Sequence, residues 1–95
     1  MEKKQEIDLV MQHLNEAIRG GIAELHGDKK LARQLNAATR LRLVSMSDQE
    51  LMVLARLLSP SLGKTAEEYY KELKQTVEEH RKTADEWTPA LRGDE

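Results

Sequence analysis

Ser47-Asp48-Gln49-Glu50-Leu51-Met52-Val53-Leu54-Ala55-Arg56-Leu57-Leu58 decides the fold. It opens on a capping box, with Ser47 at the N-cap and Glu50 at N3, where serine and glutamate side chains each satisfy a backbone N–H of the first turn. Behind the box, Leu51, Leu54, Ala55, Leu57 and Leu58 are joined by Met52 and Val53. Apolar side chains therefore occupy most of the circumference, and such a helix belongs at the centre of a helical domain. Ser59-Pro60 stops it, because the residue before a proline avoids the α region. Ser61-Leu62-Gly63-Lys64 reads as a loop.

Downstream, Thr65-Ala66-Glu67-Glu68 is a second capping box. It opens a long helix to about residue 84, with Ala66, Tyr69, Tyr70, Leu73, Val77 and Ala84 on one face. From Asp85 the periodicity fails, so residues 85–95 read as a flexible acidic tail on a single helical domain, 1–84. Upstream, Ile7, Val10, Met11, Leu14, Ala17, Ile18, Ile22 and Leu25 recur at three- and four-residue steps and predict an amphipathic helix over 3–26. Gly20-Gly21 marks a kink in it or a close approach by another element. Gly27 suits the stop and Asp28 the next N-cap. A helix over 28–42 follows, with Leu31, Leu35 and Ala38 as its inward face. The expected fold is all-α, a compact bundle of about four helices joined by short connections.

The chain has 95 residues and 39% hydrophobic content, with Trp87, Tyr69 and Tyr70 as its only aromatics. A domain this small buries only roughly 60–65% of its unfolded surface. Part of the apolar central helix is therefore expected to be covered by a second chain, with Met52, Val53 and Leu57 at a homodimer interface. The absence of cysteine excludes disulfides, thiolate metal sites and a cysteine nucleophile. The first residues, Met1-Glu2-Lys3-Lys4-Gln5-Glu6, lead into no apolar run of signal or membrane-spanning length, so a cytoplasmic protein without membrane contact is expected.

The net charge of −2 conceals a segregation, since residues 29–46 carry five bases and no acid. On one helix, Lys29, Arg33 and Arg40 fall on a single face with Asn36 beside them, and Lys30 and Arg42 extend the basic segment. Lys29 and Lys30 stand in a first turn, where the helix dipole disfavours cations. Such a stripe meets phosphates or an acidic protein surface, or it is neutralised internally by Glu68, Glu72, Glu79 and Glu86 of the last helix. Leu31-Ala32-Arg33-Gln34-Leu35-Asn36-Ala37-Ala38-Thr39 also resembles the opening of a helix-turn-helix motif, with Asn36 at the turn. That resemblance implies a DNA-binding regulator built around residues 28–46. Arg42 departs from it by standing where an apolar residue belongs.

No other motif carries chemistry. His13, His26 and His80 lack metal-ligand spacing. Neither a nucleophile elbow nor a phosphate loop nor a dinucleotide fingerprint occurs, and paired glutamates on a solvated helix face make poor acids or bases. A non-enzymatic protein with no cofactor and no small-molecule substrate is expected. In style, short and helical with one basic segment, the chain resembles small bacterial or phage regulators. The leading expectation is a regulator that binds a protein or nucleic acid through its basic helix face.

Overall fold

The computed structural model describes residues 2–92. It contains α1 (Lys3–Leu25), α2 (Lys29–Ser45), α3 (Asp48–Leu58), a 3-10 turn (Ser59–Leu62), α4 (Ala66–Lys82) and α5 (Ala84–Arg92), and no strand among the described residues. The all-α bundle expected from periodicity is what forms. Its fifth helix lies where a loose tail was expected.

Local chemistry sets the boundaries. Ser47 Oγ accepts from the Glu50 N–H, and Glu50 Oε1 accepts from the Ser47 N–H, so both halves of the capping box exist. At α4 the Thr65 hydroxyl oxygen accepts from the Glu68 N–H. Asp28 Oδ1 accepts from the Leu31 N–H at the start of α2. At the end of α1, Gly27 takes a φ of 77°. The Gly27 N–H donates to the Glu24 carbonyl and the Asp28 N–H to the Ala23 carbonyl. This left-handed cap turns the chain back at once. Gly63, with a φ of 68°, closes the 3-10 turn after Pro60 in the same way.

The turn at Gly27 makes α1 and α2 an antiparallel hairpin. Arg42 pairs with Glu16, and Asn36 Nδ2 donates to Glu24 Oε1 at 3.5 Å. α1 runs unbroken through Gly20. This residue is buried, and a Cβ placed there would stand 3.1 Å from Asn36 Oδ1 and 3.7 Å from Leu35 Cβ, so the glycine serves close approach. Gly21 faces open space.

Large side chains gather at one end of the molecule. Val10, Leu43, Leu51, Val53, Leu54, Ala55, Leu73 and Val77 form the core, flanked by Leu9, Leu14, Met46, Leu58, Tyr69 and Tyr70. Leu54 is completely buried. Lys74 Nζ donates to Asp48 Oδ1 at 3.1 Å, and Arg56 pairs with Glu6, tying α3 to α4 and α1 from its two sides. At the other end the buried residues are small: Gly20, Ala23, Ala32, Ala37 and Ala90. Backbones meet there with little apolar bulk between them.

Two sequence expectations are corrected here. The inward face of α2 consists of Ala32, Ala37 and Leu43, while Leu31 is exposed and Leu35 and Ala38 are only half-buried. Residues 84–92 are helical and docked on α2. Ala90 is buried, Trp87 is half-buried, and Gln34 Nε2 donates to the Leu91 carbonyl at 3.1 Å. A nine-residue helix containing Pro89 has little stability of its own. Tertiary docking holds it, which periodicity does not report. Residues 93–95, the rest of the expected tail, lie outside the described residues.

Candidate interaction surfaces

The basic segment does not form one open stripe. Lys29 and Lys30 are exposed in the first turn of α2. Arg33 and Arg40 both lie over the Trp87 ring of α5, with guanidinium carbons 5.3 and 4.0 Å from its centroid. Two cations on one indole are attracted by its quadrupole, and their planar heads stack on its face. Arg40 also stands beside His80, whose imidazole is held below its ordinary pKa by burial first and by the Arg40 charge second. Asn36 is engaged with Glu24 and Gly20. Arg42 turns to the opposite side and pairs with Glu16 in a partly buried cluster with His13.

Two of the acids expected to neutralise this segment, Glu72 and Glu68, are engaged elsewhere among the described residues. Glu72 accepts from Lys64 Nζ at 2.5 Å, and Glu68 from the Thr65 hydroxyl at 3.1 Å. Among the described residues, the basic segment is engaged by the Trp87 ring and by Glu16 of α1. A lone tryptophan in an aromatic-poor chain was the available signal.

The helix-turn-helix resemblance fails on geometry. Residues 31–39 lie inside one uninterrupted helix, α2, and Asn36 sits mid-helix where the motif needs a turn. With Gly20 receiving its side chain, asparagine serves helix packing there.

The expected dimer patch on α3 also dissolves. Val53 is a buried core residue of the single chain. Met52 and Leu57 are exposed, but five residues apart on a helix places them roughly 140° from each other, so they share no face.

The surface that does stand out lies on α1. Ile7 and Ile22 are about half exposed, Met11 and Ile18 are 60% and 59% exposed, and Leu25 is 88% exposed. These are the residues whose periodicity predicts the helix, and they point away from the domain. The side of α1 turned inward carries Val10, Gly20 and Ala23, with Leu9 and His13 beside them. The outer stripe is centred roughly 150° round the helix from that inner side. From Ile7 to Leu25 it runs about 27 Å at 1.5 Å per residue. Near its C-terminal end it opens into a shallow groove of about 430 Å³ between α1 and α2, lined by Arg19, Ile22, Ala23, His26, Leu31 and Leu35.

The histidines are dispersed. His13 sits at the α1–α2 contact, where burial above all, then the Arg42 charge, lowers its pKa while Glu16 opposes them. Among the described residues no group of three or more His, Asp or Glu side chains is placed to hold a metal ion. No helix among them is long and apolar enough to cross a membrane. Comparison with known protein families, curated proteins and solved structures finds no match to this chain.

Proposed function

We propose that this chain is a non-catalytic interaction protein that acts by docking a partner polypeptide on the outer face of α1. One observation carries the reading: α1, an unbroken helix of 23 residues, leaves Ile7, Met11, Ile18, Ile22 and Leu25 exposed in one row, while Val10, Gly20 and Ala23 face its own domain. Leaving an isoleucine, leucine or methionine in water forgoes about 1.5–3 kcal/mol per side chain relative to burial. Several in one continuous row mark a surface built to be covered. An apolar helix face is also a standard element of helix-in-groove and helix-pairing recognition.

The basic face of α2 is the weaker candidate for this role. Three of its six residues are arginines already in contact with Trp87 or Glu16, and the motif that would aim it into a DNA groove is absent. The two surfaces are separated by photo-crosslinking in cells. A photoreactive residue at Ile18 is expected to capture a polypeptide, whereas one at Lys30 or at exposed Gln75 is not. Failure to capture any polypeptide from position 18, this chain included, rejects the proposal. Capture of nucleic acid from Lys30 restores the basic-face reading.

A further inference from the structure

We infer that the polypeptide covering α1 is a second copy of this chain, with the two α1 helices packed antiparallel. The inference rests on the outer face of α1 being the docking surface.

Surface area gives the first argument. A monomeric protein of 10.9 kDa is expected to expose about 5,600 Å². This chain exposes 6468 Å². The excess, about 900 Å², is what one partner contributes to a standard interface, roughly 800 Å². The molecule is also wider than its length requires, with a Cα radius of gyration of 13.8 Å against about 12.4 Å from chain-length scaling.

Register gives the second. The outer stripe follows the 3-4 spacing of a coiled-coil seam from Lys4 through Ile7, Met11, Leu14, Ile18 and Gly21 to Leu25, where α1 ends, with half-buried Leu14 at the edge that also touches the core. Laid antiparallel on itself about a two-fold axis near residue 16, the seam matches layer by layer from Ile7 to Leu25. Ile7 meets Leu25, Leu14 meets Ile18, and the long Met11 meets Gly21, which has open space above it. On the flank at each end, Lys3 meets Glu24 of the second copy. A parallel pairing sets every residue against itself, with lysine on lysine at one end and an empty glycine layer at the other. Charge and volume therefore both select the antiparallel arrangement, and the contact is isologous, so it closes as a dimer.

The chain has no cysteine, which makes the test direct. Sedimentation equilibrium of the full chain is expected to give twice the monomer mass. Ile18→Glu is expected to halve that mass while helical circular dichroism persists, because Ile18 makes no core contact. In oxidising buffer Asn15→Cys, next to the axis, is expected to form disulfide-linked dimers, and Lys4→Cys is not. A wild-type chain that stays monomeric up to high micromolar concentration overturns the inference and leaves capture of a different polypeptide at position 18 to decide the docking surface itself. Strong cross-linking through Lys4→Cys, or a dimer indifferent to Ile18→Glu, overturns the antiparallel α1 contact.

Discussion

Replacing Arg40 by alanine isolates what the basic segment does inside the fold. Its guanidinium carbon stands 4.0 Å from the Trp87 centroid, on a half-buried side chain. A cation over an indole contributes about 0.5–1 kcal/mol when exposed and about 2 kcal/mol when desolvated. The apolar stem of the arginine adds packing that alanine removes. The expected cost of Arg40→Ala is thus about 1–2 kcal/mol, and that of the more exposed Arg33→Ala, at 5.3 Å, about 0.5–1 kcal/mol. Lys29→Ala, at an exposed position in the first turn of the same basic segment, is expected to stay within about 0.5 kcal/mol. Trp87 is the only tryptophan, so its emission reports α5 docking alone, while far-ultraviolet dichroism reports the whole bundle. Arg40→Ala is expected to shift the emission to the red and lower the midpoint of its transition. If α5 unfolds together with the bundle, each kcal/mol lowers Tm by about 4–8 °C. If α5 opens first, the fluorescence transition precedes the dichroism transition, as expected for a short element held by few contacts. Loss of the Arg40 charge is also expected to raise the His80 pKa, readable by nuclear magnetic resonance titration. Unchanged emission in Arg40→Ala, or an equal penalty in Lys29→Ala, refutes the stacking account.

Three further outcomes follow from the packing. Leu54→Ala, at the completely buried centre of the core, is expected to cost about 2–5 kcal/mol in urea denaturation, because the methylenes and the cavity both count. Gly21→Ala meets open space and is expected to stabilise the isolated subunit by about 0.5–1 kcal/mol through helix propensity. Gly20→Ala places a methyl group 3.1 Å from Asn36 Oδ1 and is expected to gain less or to destabilise, a difference that thermal melts of the two variants read directly. The lowered pKa of His13 means that folding favours its neutral form. Its contribution is full above the unfolded value of 6.5 and is lost as pH falls through the lower folded value. The urea midpoint is therefore expected to fall between pH 7.5 and 5.5, less steeply in His13→Gln.

What the sequence made legible is what local chemistry controls. Ser47 with Glu50, Asp28 with Leu31 and the glycine stop at Gly27 operate through neighbours one to four residues away, so their residue types announce them. The central helix was legible because its capping box and apolar run announce it; Leu51, Val53, Leu54 and Ala55 are buried, while Met52 and Leu57, expected to be covered as well, are exposed. Residues 84–92 were not legible. Pro89 and a broken apolar period argue against a helix locally. What stabilises this one is Trp87 on two arginines more than forty residues away, together with a glutamine reaching the Leu91 carbonyl.

The outward turn of the α1 stripe was hidden for a different reason. Hydrophobic periodicity finds the strongest apolar stripe of a helix and assigns it to the core, an inference that holds when a helix has one apolar side. In α1 the stripe of Ile7, Met11, Ile18, Ile22 and Leu25 outweighs an inner side whose residues at the small-residue end are Gly20 and Ala23. Small residues carry almost no hydropathy, yet they admit the closest helix approach, so the quieter side is the one that packs. The sign of this inversion stood in the sequence as Gly20-Gly21, a pair that costs helix propensity and needs a reason. Asn36 supplies that reason from α2 for Gly20, and the open space over Gly21 leaves the second glycine to the outer seam. In the dimer we infer, the two glycines serve two contacts of α1, Gly20 within the chain and Gly21 against Met11 of the second copy.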